Sequence, residues 1–488
     1  MRVGRFTGYR YVPGIAAVVL VACGGGGGGS YSAPMMAAPA PTPMPTVTFT
    51  SPAQATTVSF GRAVQLAWTS TNATTCTATT SSTIGGAFTG TQPASGTATV
   101  APTAAGTVTY TLMCSGAGGS ASATTATVTV GPSILSTLSV AGITEIGPTA
   151  DPINMDNNPY GLAIAPATAG LITAGDLIVC NFNDVPGNTQ GAGTTIVGLH
   201  PTAGAMPYRI AQSSQLQGCN ALAMLSDDSI SAAAFVANQN ALVTAAGVVN
   251  TPFSADTFGH PWGEAYVPAN GQSPAALYVS NFDGSIDRIT LNGDAQTAFT
   301  QIATGFCGFG VPGGIFAPSG LTYDASIDTL YIVDTSSNSV VAFAAVSSIG
   351  AAGVVVNGQC KSVMTPPTPE PTFSGPSAAS ARVIATGGAF FAPLSAALLS
   401  NGDLIVGDAD INIASQTPNL VFEVSPVLPG GFVGQPVQLD TGAPGALFGI
   451  VATVDAQGNQ IVYFNDDNNN AVMKITTSPA APPMMSPY

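Results

Sequence analysis

Charged side chains are scarce in this chain of 488 residues, and they are unevenly distributed. Asp, Glu, Lys and Arg together make up 7% of the residues and only nine residues are basic, whereas soluble proteins average about 25% charged residues. No acidic residue precedes Glu145, and from there onward 24 acidic residues accompany five basic ones. Because a surface of this composition repels phosphate backbones, we expect no nucleic-acid partner.

Motifs for metal binding and nucleophilic catalysis are also missing. The chain has no Cys-x-x-Cys for redox chemistry or haem attachment, and its two histidines are too few for a zinc cluster. It has no Gly-x-Ser-x-Gly elbow for a nucleophilic serine. The run from Asp408 to Asn419 begins like an EF-hand loop, but Ile413 stands where that loop requires Gly.

The first 45 residues have the pattern of an export signal followed by a tether. Three arginines precede a short apolar run that ends in Leu20-Val-Ala-Cys23, and the run is too short to span a membrane. Leu-Val-Ala-Cys resembles the lipobox of bacterial lipoproteins, the alternative being a plain secretory signal with an incidental cysteine. The resemblance implies removal of residues 1–22, lipidation of Cys23 and, because Gly24 follows it, retention at the outer membrane. Residues 23–45, rich in Gly, Pro and Ala, are expected to form a flexible tether.

Six cysteines remain when Cys23 is set aside. An even number suits an exported protein in an oxidising compartment. Proximity in sequence predicts three disulfides, which are Cys76–Cys114, Cys180–Cys219 and Cys307–Cys360.

Residues 46–131 carry short strands rich in Thr, Val and Ala, separated by turn residues. Their alternating pattern and length predict a small β-sandwich. The run from Leu66 to Cys76, together with Tyr110 to Cys114, resembles bacterial Ig-like domains of exported proteins. A carbohydrate- or protein-binding role would require exposed aromatic or charged residues, and Arg62 is the one charged residue of this region, so we expect a stalk. Trp68 is expected to pack on the Cys76–Cys114 disulfide.

One motif recurs six times between residues 177 and 465: three mostly large apolar residues, one variable residue, then Asn or Asp. The copies end at Asn181, Asn238, Asn281, Asp334, Asp408 and Asn465. A recurring β unit of this spacing predicts a six-bladed β-propeller over residues 134–478, so the expected fold is all-β, a sandwich followed by a propeller. The last blade stops after three strands, and we expect Ile143 to Gly147 to supply its missing outer strand. Residues 479–488 are expected to be a disordered tail.

The segments Pro318-Ser-Gly-Leu and Leu330-Tyr-Ile-Val-Asp-Thr-Ser-Ser-Asn-Ser-Val resemble NHL-type six-bladed propellers. More distantly, they are similar to the gluconolactonase and strictosidine-synthase group. The gluconolactonase resemblance implies a divalent metal held by Glu, Asn and Asp. Asp334 matches that family's Asp and Glu145 is a candidate Glu, whereas Ser319 stands in place of the family's Asn.

In this strand order, the loops before the first strand and after the second strand of each blade open on one face. Carboxylate and amide oxygens there suit Ca²⁺, and no other cofactor is expected. His260 and Trp262 combine a titratable group with an aromatic ring, which suits a sugar or aromatic ligand. The same Asn and Asp residues also cap turns in proteins generally, which is the alternative interpretation. The candidate ligand-binding residues are His260, Trp262, Asn181, Asp184, Asn281, Asp283, Asp334, Asp408, Asp410, Asn465 and Asp466.

The composition and motifs together predict an exported protein that is lipid-anchored at the outer membrane, on its periplasmic or surface side. Its propeller is expected to act as a noncatalytic binding module for a protein, a glycan or a small ligand. The alternative is a divalent-metal-dependent hydrolase or lactonase that uses the same face. That alternative requires carboxylates such as Asp334, Asp408 and Asp466 to converge within about 5 Å of one point.

Overall fold

The computed structural model describes residues 40–138, 142–185, 187–254, 257–271, 273–293, 295–310, 316–357, 370–386, 390–408, 417–426 and 432–476. Within these residues the protein is nearly all-β, with one four-residue α-helix. No helix there is long and apolar enough to cross a membrane. The predicted signal peptide, Cys23 and the predicted tail lie outside the described residues.

The N-terminal module consists of ten short strands in three small sheets. The strands are β1 (Thr46–Ser51), β2 (Thr56–Val58), β3 (Val64–Thr71), β4 (Thr75–Thr80), β5 (Gly90–Gln92), β6 (Gly96–Val100), β7 (Gly106–Val108), β8 (Tyr110–Gly116), β9 (Gly119–Thr124) and β10 (Val128–Val130). The sheet orders are β1-β3-β6, β2-β10-β7 and β5-β4-β8-β9. Alternate residues of β3 and β8 are buried, as the period of two requires. Trp68 and the predicted Cys76–Cys114 disulfide lie in the resulting core.

A linker with the helix α1 (Ile134–Thr137) leads to β11 (Thr144–Pro148) and then to the first three blades. Blade 1 contains β12 (Asn157–Ile164), β13 (Leu177–Asn183), β14 (Gln190–Leu199) and β15 (Tyr208–Gln212). Blade 2 contains β16 (Cys219–Met224), β17 (Ile230–Ala234), β18 (Gln239–Val243) and β19 (Val249–Asn250). Blade 3 contains β20 (Pro261–Val267), β21 (Ala276–Asn281), β22 (Ile286–Asn292) and β23 (Ala295–Thr304).

Blade 4 contains β24 (Pro318–Asp324), β25 (Thr329–Asp334) and β26 (Ser339–Ala344). The chain then adds β27 (Val354–Asn357) and β28 (Thr372–Ser374) to the outer edge of blade 3 before β29 (Ala381–Thr386) completes blade 4. Blade 5 contains β30 (Pro393–Leu398), β31 (Leu404–Asp408) and β32 (Leu420–Ser425), with the short strands β33 (Phe432–Val433) and β34 (Val437–Gln438) beside β32. Blade 6 contains β35 (Ile450–Val454), β36 (Gln460–Asp466) and β37 (Ala471–Thr476).

The six sheets form a closed β-propeller. Inner strands of successive blades lie side by side, and β35 returns to β12. All six inner strands line one central channel. The outer edge of blade 6 is completed by β11, which pairs antiparallel with β37, as the sequence predicted. Chain from both ends of the propeller therefore closes the ring and removes an open sheet edge.

A side chain links each blade to the next near the starts of the inner strands. Blades 1 and 2 are joined by the predicted Cys180–Cys219 disulfide. The other links are hydrogen bonds, from Asn220 Nδ2 to Trp262 O (2.9 Å), Ser280 Oγ to Ser319 O (2.8 Å), Thr335 Oγ1 to Pro393 O (2.5 Å), Ser395 Oγ to Leu447 O (3.1 Å) and Asn465 Nδ2 to Tyr160 O (3.0 Å). Cys307 is also disulfide-bonded, and its predicted partner Cys360 lies outside the described residues.

The sequence prediction for the second strand of blade 2 is wrong. We predicted a strand from Ala234 that ends near Asn238, but β17 ends at Ala234, which pairs with Cys219 as Asn281 pairs with Pro261 in blade 3. Ala234 therefore stands where blade 3 has an Asn. The sequence pattern did not identify β17 because its residues are mostly alanine. Alanine fits a tightly packed position, but it lacks the large apolar side chains by which the other copies of the motif were recognised.

Candidate functional site

We call the end of the propeller where the inner strands begin the motif face. Motif residues at the ends of the second strands pair with the first residues of the inner strands, Asn281 with Pro261 and Asp334 with Pro318. These residues therefore lie at one end of the ring, and their role in ligand binding stays a prediction. The sequence did not predict that these residues are buried. Five of them are each at most 2% exposed: Asn181, Asn281, Asp334, Asp408 and Asn465.

The motif asparagines are engaged with backbone and with neighbouring side chains. Asn181 Nδ2 donates to Thr149 O at 2.9 Å, and Asn281 Nδ2 donates to Asp287 Oδ2 at 2.7 Å. Burial raises the pKa of Asp287 to about 7, while the hydrogen bond from Asn281 opposes this change. These amides therefore hold the ends of strands together, and ligand binding by them stays a prediction.

The candidate carboxylates mostly cap turns. Asp334 accepts from the backbone N–H of Ser336 at 3.1 Å and from its hydroxyl at 2.6 Å. Asp283 accepts from Ser285 in the same way, at 2.9 and 2.6 Å. The remaining carboxylates accept as follows: Asp184 from Thr189 N (2.7 Å), Asp408 from Phe391 N (2.5 Å) and Asp466 from Asn469 Nδ2 (2.7 Å). Asp410 lies outside the described residues. Within the described residues, no three His, Cys, Asp or Glu side chains are grouped so that they could hold a metal ion.

Aromatic side chains fill the mouth of the channel at the motif face. We call Tyr160, Phe182, Phe235, Trp262 and Phe448 the aromatic plug. The Tyr160 ring stacks on Phe448 with centroids 3.6 Å apart and on Phe182 at 4.1 Å. Trp262 meets Phe235 edge-to-face at 5.5 Å and is 5% exposed. Trp262 therefore belongs to a packed cluster and is buried.

His260 lies at the rim of this plug and is exposed. Its backbone N–H donates to Asn238 Oδ1 at 2.8 Å, and its ring Nδ1 lies 2.9 Å from Phe235 O. Because a carbonyl oxygen only accepts hydrogen bonds, Nδ1 carries the proton, which leaves Nε2 as the acceptor of the neutral ring. The backbone of His260 has φ of +63°, a conformation that is costly for a residue with a Cβ. The plug and Asn238 thus hold the imidazole in a defined orientation.

The channel behind the plug is narrow, with a cavity of about 80 Å³ between the inner strands. A Cβ on Gly263 would lie 1.8 Å from Ser319 O, so only glycine permits the blades to approach this closely. The next residue, Glu264, is buried among the strands and accepts from Ser231 Oγ at 2.9 Å. Burial raises the pKa of Glu264 to about 8.

Sequence reasoning missed Glu264, although the pattern contained a signal for it. In the same pairing position, blade 1 has Leu162, blade 2 has Leu222 and blade 4 has Leu321. An acidic residue where related segments place leucine indicates a buried carboxyl group, and it could have been found by aligning the repeats.

Comparisons with known proteins give structural neighbours only. A virginiamycin B lyase from Staphylococcus aureus aligns with 14% identity and a TM-score of 0.38, covering 68% of this chain and 98% of that one. A gluconolactonase from Xanthomonas campestris aligns with 13% identity and a TM-score of 0.42, covering 67% and 88%. No protein-family model and no curated protein matches the chain. At this level of similarity, the activities of those proteins are not carried over to this one.

Proposed function

We propose that this protein is an exported, lipid-anchored binding protein whose propeller presents a noncatalytic recognition surface on its motif face. One observation carries the proposal: the candidate carboxylates accept hydrogen bonds within turns, whereas His260 is exposed and Phe448 of the aromatic plug is partly exposed. Ordered aromatic rings beside a fixed imidazole suit stacking and hydrogen bonding to a sugar or an aromatic group.

The surroundings of the plug support binding of a partly apolar ligand. Ile153 and Met155 precede the inner strand of blade 1, and they are 70% and 51% exposed. Val185 and Val236 follow the second strands of blades 1 and 2 and are 38% and 37% exposed. Since all four lie in loops of the motif face, they extend the aromatic surface with apolar area that a partner would cover.

The remainder of the chain fits a tethered module. The lipobox-like Leu20-Val-Ala-Cys23 would supply the anchor, and residues 23–45 the tether. The all-β N-terminal module, which resembles Ig-like domains, would act as a spacer before the NHL-like propeller. Two disulfides in the structure agree with an oxidising compartment.

A ligand screen on the mature protein tests the binding proposal. Thermal shift with a panel of mono- and oligosaccharides and aromatic compounds would identify a ligand, and isothermal titration would measure its affinity. We expect His260→Ala to weaken the affinity by about tenfold, because the imidazole hydrogen bond is lost. His200→Ala is the matched control, since His200 lies at the opposite end of blade 1 and bonds to Asp176. Equal affinities of the two variants and the parent would contradict the motif-face assignment.

Metal analysis tests the hydrolase alternative. We expect no stoichiometric divalent metal in the purified protein and the same melting temperature with Ca²⁺ and with a chelator. Lactone hydrolysis that depends on added metal and is lost in Asp334→Asn would instead support the metal-dependent enzyme.

A further inference from the structure

A cavity of about 680 Å³ lies at the end of the propeller opposite the motif face. It is lined by Arg62 from the loop between β2 and β3 of the N-terminal module, and by the hairpins that connect β24 to β25 and β30 to β31. Its volume falls within the usual range for small-molecule sites, about 300–1,000 Å³. The cavity therefore lies between the module and blades 4 and 5, and neither part forms it alone.

Two of the nine basic residues of the chain line this cavity. Arg62 donates through Nη2 to Asn401 O, and the same nitrogen lies 3.7 Å from Asp403. Arg382, on β29, donates through Nη2 to Pro426 O at 2.8 Å. A guanidinium has five N–H donors, so each arginine retains donors that are not used by the described residues. Such donors suit an anionic oxygen ligand.

Tyr331 adds a third donor in the wall of the cavity. Its side chain is fully buried, and its hydroxyl has no hydrogen-bond partner among the described residues. Burial raises the pKa of Tyr331 to about 12, so the group stays protonated at neutral pH. Leaving a buried hydroxyl unpaired costs stability, and an acceptor oxygen from a ligand would remove that cost.

The acidic residues near the cavity either accept hydrogen bonds from the protein or have a raised pKa. Asp324 accepts from Ser326 N at 2.9 Å and from Ser326 Oγ at 2.6 Å. Burial, together with the neighbouring Glu423, raises the pKa of Asp403 to about 7, although Arg62 opposes this change. The lining contains two arginines and one carboxylate, Asp324, so positive charge prevails there.

Apolar side chains make up another part of the wall. Leu398 and Leu399 lie on one side, and Ile327, 56% exposed, lies in the other hairpin. A ligand that filled this region would need an apolar body as well as an anionic head, because a bare anion would leave this surface in contact with water.

We propose that this cavity binds a small organic carboxylate with an apolar body, whose carboxylate is held by Arg62, Arg382 and the hydroxyl of Tyr331. The site is independent of the proposed motif-face site, since the two lie at opposite ends of the inner strands. Failure of one therefore leaves the other untouched.

Isothermal titration of the mature, full-length protein tests the proposal with hexanoate and phenylacetate as probes. The matched uncharged probes are hexanamide and phenylacetamide, and acetate and inorganic phosphate represent anions without an apolar body. We expect at least one of the two acids to bind at millimolar concentration, about tenfold more tightly than its amide and than acetate or phosphate.

Variants locate the site. Arg382→Gln is expected to weaken binding of the acid by about tenfold and Arg382→Lys by less, because lysine keeps the charge but loses the planar fork. Tyr331→Phe is expected to weaken it severalfold, and Arg288→Gln is the control, since Arg288 binds Ser347 O and Ile349 O outside this cavity. Melting curves confirm that each variant is folded.

Three results would overturn the proposal. They are equal affinity for an acid and its amide, unchanged affinity in Arg382→Gln, and the absence of binding by both acids at millimolar concentration. Arg62→Gln serves as a supplementary variant only, because Arg62 also contacts the hairpin at Asn401 and its loss could loosen the junction between module and propeller.

Discussion

Glu264 occupies a position on its inner strand that neighbouring blades fill with leucine, and no cation among the described residues offsets the effect of burial on its pKa. Burial raises its pKa, and the hydrogen bond that it accepts from Ser231 Oγ opposes this change without cancelling it. The carboxyl group is therefore mostly protonated at neutral pH, and it makes the stability of the propeller depend on pH.

Replacing Glu264 with Gln should flatten that dependence. The pKa rises from its ordinary 4.5 to about 8 on folding, so between these values the folded chain binds a proton that the unfolded chain has lost. The stability contributed by the group is present below the lower pKa and is lost as the pH rises towards 8, by up to about 1.4 kcal/mol per pH unit. The amide of Gln does not titrate and can still accept from Ser231.

Urea unfolding of the parent and Glu264→Gln at pH 5 and pH 8 measures the effect. We expect the variant to be more stable than the parent at pH 8, with a smaller difference at pH 5. Glu145→Gln, at an exposed position, is the control and should follow the parent at both pH values. Parallel pH profiles of Glu264→Gln and the parent would show that this carboxyl group does not titrate in the range.

At the scale of the elements, one covalent and five hydrogen-bonded links join successive blades. The link between blades 1 and 2 is a disulfide from β13 to β16, whereas the equivalent position to Cys180 in blade 3, Ser280, makes a hydrogen bond instead. A disulfide that closes a loop of 38 intervening residues reduces the conformational entropy of the unfolded chain. Its removal is therefore expected to lower the free energy of unfolding.

The double variant Cys180→Ser/Cys219→Ser is expected to lower the free energy of unfolding of the propeller by about 2–4 kcal/mol. The two tryptophans allow this to be measured, because Trp68 lies in the N-terminal module and Trp262 in the aromatic plug. In a Trp68→Phe background, fluorescence reports on Trp262 alone. Cys76→Ser/Cys114→Ser is the matched control, which should leave the Trp262 transition nearly unchanged; an equal decrease for both pairs would contradict a local role.

At the scale of the whole molecule, stability depends on closing the ring. Ile146 of β11 is 1% exposed and packs with residues of blade 1 and blade 6, including Leu162 and Tyr463. Asn465 adds a hydrogen bond from blade 6 to the backbone of Tyr160 in blade 1. Both contacts join segments that are distant in sequence, so they form only when all six blades are in place.

Ile146→Asp is expected to release β11 and to lower stability by more than about 3 kcal/mol, because it buries a charge and removes apolar contacts. Thr144→Asp, at an exposed position of the same strand, should change stability by less than about 0.5 kcal/mol. Thermal unfolding and limited proteolysis would compare them, with increased aggregation of Ile146→Asp as the sign of an open sheet edge. Similar melting temperatures for both variants would show that β11 is dispensable.

Strands were predicted correctly from the sequence where large apolar residues formed a local pattern, and wrongly where small residues replaced them. Large apolar residues followed by Asn or Asp located the second strands of five blades, and the shortage of a strand in blade 6 predicted the role of β11. The alanine-rich strand of blade 2 was misplaced because its residues lack bulk. For the candidate site, the sequence predicted a face and named His260 and Trp262 as candidates, but it did not predict the buried Glu264 or the burial of the motif residues.

The sequence by itself determined the nearly all-β architecture, the repeat number, the two observed disulfide pairs and the ring closure. These features follow from the periodicity of the strands and from the proximity of cysteines in the sequence, both of which are local patterns. Only the tertiary structure decided that five aromatic residues pack together at the channel mouth, and that Arg62 and Arg382 line one cavity. The physical reason is distance along the chain. These side chains come from blades or modules far apart in sequence, and their spacing is determined by how closely the sheets pack around the axis.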